Sequence, residues 1–308
     1  MFSKKLLIPL LSLSLLVTPA YSSHAAENAE AAKTSVEGQG MLSPSSSSES
    51  SESVFNGSGA GTSSEPVTDE KLETILKQVQ SQLPAENGTW AVFISDLVNG
   101  TEGSLNDQKM QAASLIKLYI MGAVYENYDQ ITGQYGRDSV DSNLYSMITV
   151  SDNDAANTLT TYLGGGDSAA GMQAVNSFCQ AHGCDQTHMG RMLLASNEND
   201  DNYTSVGDCG HLLQEIYKQD TSGYTHAADM FNLLKAQTRC NKIPAQLPEG
   251  VKTANKTGEL DNVENDAGII YDSKNDIVIV FMSQNLSSAG SAQNTIATLS
   301  RTIYDYYN

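Results

Sequence analysis

A nearly uninterrupted apolar stretch runs from Ala112 to Met121, and one charged residue, Lys117, lies in the middle of it. If this stretch is helical, apolar side chains surround the whole helix, which must then be buried on every side. Removing an ammonium group from water costs several kcal/mol unless the group is paired. The chain must therefore fold into layers around this helix, with polar partners for Lys117 inside.

Ser114 lies one helical turn before Lys117 on the same face, so the two side chains can meet. Burial lowers the pKa of a lysine amine, and a neutral amine can accept the proton of a serine hydroxyl and make it a nucleophile. The S-x-x-K pattern is short, however, and a lysine that extends from a core helix to the surface also fits it. The pattern alone leaves both interpretations open.

Two further short motifs follow in the sequence. The S-D-N motif at residues 151–153 begins a predicted helix, and the K-T-G motif at residues 256–258 lies on a predicted strand. Each motif is ordinary by itself. In the order S-x-x-K, S-D-N, K-T-G, with these structural settings, they are typical of the penicillin-recognising serine enzymes.

Residues 67–308 resemble the class A β-lactamase and low-molecular-weight penicillin-binding protein superfamily. Asn265–Ile270 is similar to the family's strand after K-T-G, and Leu247–Gly250 is similar to the turn before it. The resemblance implies an α/β fold in which an antiparallel sheet of about five strands, from both chain ends, packs with helices. An all-helical lobe is inserted between these strands, and the site lies in the cleft where they join.

The resemblance also implies roles for single residues. Ser114 would be the acylated nucleophile, Lys117 its proton acceptor, and Ser151 the group that passes the proton to the leaving nitrogen. The oxyanion hole would consist of the backbone N–H groups of Ser114 and Glu259. The implied substrate-binding residues are Asn153, Lys256, Thr257 and Gly258, with Lys242 as a further positive charge where Ala267 replaces the family's arginine.

One departure from the family bears on function. The segment Arg191–Asn197 resembles the family's omega loop, but Leu193 occupies the place of the glutamate that activates the deacylating water. The loop is about four residues shorter than the family's, and Glu198 lies one position beyond Asn197. Losing a general base typically costs about 10²–10⁴ in rate, so an acyl-enzyme can form while its hydrolysis stalls.

A second departure concerns Glu259, which is bulky and acidic where the family has a small residue. Next to a carboxylate-binding site, its charge repels anionic ligands. We therefore expect ordinary penicillins to fit poorly.

Other kinds of catalytic site have weaker sequence support. A Ser-His-Asp triad would need one of the histidines 182, 188, 211 and 226, but none accompanies a G-x-S-x-G motif. The spacing of His182, Cys184 and His188 matches no structural zinc pattern. We expect neither a metal nor a cofactor.

The amino-terminal residues have the pattern of a secretion signal. Lys4 and Lys5 precede an apolar run from Leu6 to Val17, and small residues end at Ala25. The run is shorter than the 18 or so residues of a membrane anchor. We predict a signal peptide at residues 1–25 and a disordered, acidic, serine-rich linker at 26–66, in a protein that is secreted or associated with the cell wall.

The formal net charge of −19 repels nucleic acids and anionic membrane surfaces. The expected partners are instead β-lactams or peptidoglycan stem peptides, and the chain is expected to be a monomer. Four cysteines in an exported protein allow three connectivities. Their order favours Cys179 with Cys184 and Cys209 with Cys240, but only geometry can decide.

Periodicity gives a coarse secondary-structure prediction. The predicted helices are Leu72–Leu83, with Thr68 as cap, 112–126, 143–149, 153–164, 168–182, 204–219, 226–237 and Ala292–Tyr307. The predicted strands are Trp90–Leu97, a second that ends near Asn106, Val251–Gly258, Ala267–Asp272 and Asp276–Ser283.

Three functional hypotheses follow. The first is a serine D-Ala-D-Ala peptidase-like enzyme that acts on peptidoglycan and is trapped by β-lactams, and the second is a genuine, if weak, class A β-lactamase. The third is a non-catalytic sensor of β-lactams or cell wall. The third hypothesis is disfavoured because the motif residues Ser114, Lys117, Ser151 and Lys256 are all present. Leu193 is the residue that distinguishes the first hypothesis from the second.

Overall fold

The computed structural model describes residues 70–219 and 224–308. The expected signal peptide at 1–25, the linker at 26–66 and the capping Thr68 lie outside the described residues.

A five-stranded antiparallel sheet with the order β2-β1-β7-β6-β5 forms one layer of the molecule. Its strands come from both ends of the sequence, as predicted. A two-stranded ribbon, β3-β4, is separate from it. The strands are β1 (Thr89–Asp96), β2 (Thr101–Leu105), β3 (Met110–Gln111), β4 (Tyr203–Thr204), β5 (Lys252–Leu260), β6 (Val263–Tyr271) and β7 (Ile277–Gln284).

Helices cover both faces of this sheet. The first and last helices pack on one face, and the others form the lobe on the opposite face. The helices are α1 (Glu70–Gln82), α2 (Ile116–Glu126), α3 (Tyr128–Tyr135), α4 (Arg137–Thr149), α5 (Asn153–Leu163), α6 (Ser168–Ala181), α7 (Val206–Lys218), α8 (Ala227–Lys235) and α9 (Ala289–Tyr307). Within the described ranges, no helix is both long enough and apolar enough to cross a bilayer.

The central strand β7 shows why the sheet is covered on both faces. Its sequence, IVIVFMSQ, is apolar at consecutive positions, and every residue from Ile277 to Ser283 is buried. Successive side chains of a strand point to opposite faces. Ile279 and Phe281 therefore pack with the α1 and α9 layer, and Val278 and Val280 pack with the helical lobe.

Helix α2 is the buried helix that the apolar stretch predicts. Every residue from Ile116 to Tyr125 is buried, including Lys117. The helices α4, α5 and α6 pack around it. The predicted fold class is confirmed, with the addition that the lobe also carries the short β3-β4 ribbon.

The structure differs most from the sequence prediction at α3, α4 and β6. Helix α3 was not predicted, and α4 begins at Arg137 rather than at 143, because polar residues and two glycines hide the helical period in this region. Strand β6 begins at Val263 rather than at Ala267. Its first part includes Glu264, Asn265 and Asp266, which are all buried, so its composition does not resemble that of a buried strand.

The preferred disulfide pairing is wrong in this structure, because all four cysteines are free thiols. Cys209 is completely buried on α7, where its sulfur lies 3.4 Å from the Tyr119 hydroxyl, whereas Cys240 is exposed. The Cys184 sulfur lies near the His182 carbonyl oxygen rather than in a disulfide with Cys179. Burial raises the pKa of both Cys184 and Cys209 to about 12, so these thiols stay protonated.

The contact between α2 and α6 provides a test of this packing. Gly122 lies inside α2, where a Cβ atom would stand 2.3 Å from Cζ of Phe178 on α6. We expect Gly122→Ala to lower the free energy of unfolding by roughly 1–3 kcal/mol through overpacking. Gly133→Ala is the matched control, because it is also helical and its Cβ would meet nothing within 4 Å.

Alanine at an exposed helical glycine is expected to stabilise a helix by roughly 0.5–1 kcal/mol. Thermal unfolding followed by circular dichroism should therefore move the two variants in opposite directions. Equal stability of the two variants would contradict the close approach of α2 and α6.

Candidate active site

Ser114 lies in a short 3-10 turn, Ala113–Leu115, immediately before α2. The preceding Ala113 has a positive φ of 48°, a conformation that an alanine rarely adopts. The buried side chain of Asn265, on β6, donates hydrogen bonds from Nδ2 to the carbonyl oxygens of Gln111 at 2.9 Å and Ala112 at 3.2 Å. A side chain of the sheet therefore fixes the turn that carries Ser114.

Strand β5 passes very close to this turn at Gly258. A Cβ atom there would stand 2.8 Å from the carbonyl oxygen of Ala112 and 3.3 Å from the backbone nitrogen of Ser114. Only a glycine leaves room for this approach. The approach places the backbone of Gly258, and with it the start of the segment that continues into Glu259, next to the backbone of Ser114.

The side chain of Lys117 reaches the loop before α5. Its Nζ donates to the carbonyl oxygen of Ser151 at 2.6 Å, to Ser151 Oγ at 3.1 Å and to Asn153 Oδ1 at 2.7 Å. Ser151 itself has a positive φ of 62°. The S-x-x-K and S-D-N motifs therefore meet through hydrogen bonds.

Lys256, of the K-T-G motif, also contacts the hydroxyl group of Ser151. Lys256 Nζ donates to Ser151 Oγ at 2.9 Å and to the carbonyl oxygen of Thr257 at 2.8 Å. The Ser151 oxygen thus accepts hydrogen bonds from Lys117 and Lys256, while its own hydrogen can be donated elsewhere. Both lysines are completely buried.

Burial changes the proton affinity of both amines. It lowers the pKa of Lys117 to about 7, with Asp152 opposing this shift and Arg239 adding to it. Burial, together with repulsion from Lys117 and Arg239, also holds the pKa of Lys256 well below its usual value. Near neutral pH the amine of Lys117 is therefore available as a base.

The hydroxyl of Ser114 makes no hydrogen bond to the protein within the described part of the chain. It is half-buried and lines a cleft of about 340 Å³. The other lining residues are Ala113, Asn153, Arg191, Glu259, Leu260 and the loop residues 193–197. Among these described lining residues, Glu259 is the one that carries a carboxylate.

Asp201 and Asn157 hold the loop that forms one wall of the cleft. Arg191 Nε donates to Asp201 Oδ1 at 2.7 Å, and Asn197 Nδ2 lies 3.4 Å from Asp201 Oδ2. The side chain of Asn157 pairs with the backbone of Leu193 in both directions, at 2.8 and 3.0 Å. Neither Asp201 nor Asn157 belongs to one of the three sequence motifs, so their role was not predicted.

Leu193 is buried, whereas its neighbour Leu194 is 75% exposed and has a positive φ of 67°. A leucine in this conformation is strained. Glu198, the other acidic candidate of this region, is exposed and is absent from the described cleft lining. Leu193 thus lines the cleft, and Glu198 does not replace the missing carboxylate in the described lining.

Lys242 is completely buried, and its positive charge is already paired. Its Nζ lies 2.6 Å from Glu264 Oε2 and 3.1 Å from Glu259 Oε1. It also donates to the carbonyl oxygens of Gly258 and Asn265. Lys242 is therefore not among the described cleft-lining residues, and it contacts the cleft residue Glu259 instead.

A further cation, Arg239, pairs with the cleft residue Glu259 and was not identified in the sequence. Its Nη1 lies 3.1 Å from Glu259 Oε2. Burial alone would raise the pKa of Glu259, but the attraction of Lys242 and Arg239 outweighs it and keeps the pKa below its usual value. The carboxylate is therefore charged and paired on both oxygens.

The four histidines considered for a triad lie elsewhere, and none is among the described lining residues. Each pairs with its own carboxylate: His182 with Glu126, His188 with Asp200, His211 with Glu102 and His226 with Asp229. Within residues 70–219 and 224–308, no group of three or more His, Cys, Asp or Glu side chains is arranged to hold a metal ion.

Comparison with known proteins finds solved structures with the same fold. The solved β-lactamase from Sphaerobacter thermophilus is 22% identical, with a TM-score of 0.64 over 76% of this chain and 96% of that one. The solved structure of PBP-A is 22% identical, with a TM-score of 0.67 over the same shares of the two chains. A leucine-to-glutamate variant of PBP-A, solved as an acyl-enzyme complex with penicillin G, is 23% identical over these shares, with a TM-score of 0.65.

These likenesses establish the fold. No curated protein matches the sequence. The model of the beta-lactamase enzyme family, however, matches residues 71–138 and 134–307, which is well over half of the chain. The protein therefore belongs to the beta-lactamase enzyme family.

Proposed function

We propose that this protein is an extracytoplasmic serine acyl-transfer hydrolase that forms a covalent ester at Ser114. Its proposed substrates are peptidoglycan stem peptides that end in D-Ala-D-Ala, and β-lactams trap it as a long-lived acyl-enzyme. The secretion signal at residues 1–25 supports the location. Family membership and the penicillin G complex of PBP-A support the chemistry.

In the acylation step, the neutral amine of Lys117 accepts the proton of the Ser114 hydroxyl. The serine oxygen then attacks the carbonyl carbon of the scissile amide. The backbone N–H groups of Ser114 and Glu259 stabilise the negative charge that develops on the carbonyl oxygen. The close approach of β5 at Gly258 supports this pairing of donors.

In the next step, the carbon–nitrogen bond breaks and the leaving nitrogen takes the proton of Ser151. Lys117 returns the proton that it accepted to Ser151 Oγ, from which it lies 3.1 Å away. Lys256 donates to the same oxygen at 2.9 Å and stabilises it while it lacks its proton. The products are the Ser114 ester and a free amine.

Asn153 and Thr257 bind the two ends of the substrate in this proposal. The Asn153 carbonyl oxygen accepts from Lys117, which leaves its Nδ2 to hold the amide on the acyl side. The hydroxyl of Thr257 and the amine of Lys256 donate hydrogen bonds to the substrate carboxylate. Lys242 is paired with Glu259 and Glu264, so its charge offsets theirs and does not bind that carboxylate directly.

The choice of a peptidase over a β-lactamase rests on one observation. Glu259 is the one carboxylate among the described lining residues, and it is paired with Lys242 and Arg239. A carboxylate held by two cations is a weak base for activating water. A penicilloyl ester at Ser114 therefore lacks an efficient route to hydrolysis.

The nucleophile assignment is tested with a fluorescent penicillin. We expect wild type to be labelled and Ser114→Ala to remain unlabelled, because the ester forms on that hydroxyl. Ser196→Ala is the matched control, since Ser196 lines the same cleft and should not affect labelling. Labelling that persists in Ser114→Ala would remove the assignment.

The role of Lys117 is tested by the pH dependence of acylation. Because the base must be deprotonated and its pKa is about 7, the acylation rate should rise as pH increases through about 7 and then level off. Lys117→Ala should reduce this rate by at least about 10², with the unfolding temperature within a few degrees of wild type. A folded Lys117→Ala protein that acylates at the wild-type rate would show that another group takes the proton.

The role of Leu193 is tested by restoring a carboxylate. Leu193→Glu is expected to raise deacylation of a bound penicillin about tenfold, because the new group can activate water near the ester. Leu193→Gln is the matched control, because it has the same length without the charge. The Asn157 contacts hold the backbone in both variants.

Pre-steady-state mass spectrometry separates acylation from deacylation for these variants. Leu193→Glu should leave acylation unchanged. If wild type already deacylates penicillins within seconds, another base must be present, and the β-lactamase hypothesis takes precedence over the peptidase.

A further inference from the structure

A second cavity, larger than the catalytic cleft, lies at the opposite end of strands β5 and β6. Its volume is about 720 Å³, compared with about 340 Å³ for the cleft, and the two share none of their described lining residues. Tyr271, which lines the cavity, pairs with Lys252, whereas Lys256 lies four residues further along β5. Four residues of a strand span about 13 Å. A ligand in this cavity would therefore not touch the groups that react at Ser114.

Aromatic side chains form one wall of this cavity. Phe231 is in edge-to-face contact with Tyr217 and Tyr271, with ring centroids 6.2 and 5.1 Å apart. Phe231 is buried, but the two tyrosines are only half-buried. Edge-to-face contacts cover less of each ring face than stacking does. The tyrosines therefore offer apolar ring surface to a ligand.

The three carboxylates that line the cavity already have partners. Asp96 is buried, and its Oδ1 accepts hydrogen bonds from two backbone N–H groups of the following turn. Asp272 Oδ2 lies 2.6 Å from Nζ of Lys252, and Asp276 accepts from the Tyr217 hydroxyl at 2.6 Å. These partners reduce the attraction for a cation, while the carboxylates still repel an anion. The cavity therefore favours a neutral ligand with many hydrogen-bonding groups.

Two glutamines contribute amide groups to the same cavity. Gln214 Nε2 donates to Ser95 Oγ at 2.8 Å, and the carbonyl oxygen of its side chain can accept a further hydrogen bond. Gln219 is exposed at the end of α7. An acetamido group has one N–H and one carbonyl oxygen, which complement the acceptor and the donors of a glutamine amide.

We propose that this cavity is a saccharide-binding site for an oligosaccharide of neutral, N-acetylated amino sugars. A pyranose ring has apolar C–H faces, which pack on Tyr217 and Tyr271. It also has a rim of hydroxyl groups, which bond to Asp272, Asp276 and Lys235. The volume suits such a ligand, since small-molecule sites commonly measure about 300–1,000 Å³.

The binding itself is independent of the reaction at Ser114. Its consequence rests on the proposed function, because stem peptides are attached to a glycan of N-acetylated amino sugars. A second site that holds this glycan raises the effective concentration of stem peptides at the cleft. The site would thus keep the enzyme on the polymer that carries its substrate.

Titration calorimetry of the wild-type chain with two neutral tetrasaccharides tests the proposal. The first is the β-1,4-linked tetramer of N-acetylglucosamine, for which we expect a dissociation constant below about 1 mM. The second is maltotetraose, which has the same number of rings but no acetamido groups. It should bind about 3- to 10-fold more weakly, the range for a lost hydrogen bond.

Two single variants locate the binding. Tyr271→Leu should weaken binding of the amino-sugar tetramer about 3- to 10-fold, because the flat ring is lost. Gln219→Ala should have an effect of similar size, and the exposure of Gln219 makes loss of the fold an unlikely cause. Tyr145→Leu is the matched control, since this tyrosine is 55% exposed and lies outside the described lining of the cavity.

The outcomes separate this inference from the proposed function. Absence of binding to wild type, or unchanged affinity in both Tyr271→Leu and Gln219→Ala, would overturn the saccharide site. Maltotetraose that binds as tightly as the amino-sugar tetramer would overturn the assignment to N-acetylated sugars. Both variants should react with a fluorescent penicillin as wild type does. Failure of wild type to react would refute the proposed function and leave the saccharide site standing.

Discussion

The hydroxyl group of Ser151 accepts hydrogen bonds from two completely buried lysines, Lys117 and Lys256. Two ammonium groups so close together inside a protein repel each other, and each loses its hydration. Burial lowers the pKa of Lys117 to about 7, and repulsion from Lys117 adds to the burial that holds the pKa of Lys256 well below its usual value. The site therefore contains a base near neutral pH without a histidine.

This arrangement depends on three parts of the chain that hold one another in place: the turn before α2, strand β5 and the loop that carries Ser151. Asn265, on the sheet, fixes the turn before α2, and Gly258 lets β5 approach that turn. The loop that carries Ser151 belongs to the helical lobe, yet it bonds to Lys256 on the sheet. The cleft thus lies where the sheet and the lobe meet, and each side supplies one of the two lysines.

The sequence predicted much of the fold and the three motifs, because apolar periodicity and motif spacing are local properties. It did not predict the start of β6, since Glu264 and Asp266 are buried by partners from distant segments. It also missed Arg239, whose importance comes from contacts with Glu259 and Val150 that are far away in sequence. The cysteine pairing failed for a similar reason, because burial and distance are properties of the folded chain.

The site combines a base for acylation, Lys117, with a cleft whose one described carboxylate, Glu259, is paired with two cations. The most direct test is to follow wild type mixed with a chromogenic cephalosporin, by absorbance and by intact-mass spectrometry of the same samples. The account predicts one covalent adduct per chain that persists after a single burst of colour. Continuous colour development without an accumulating adduct would contradict it.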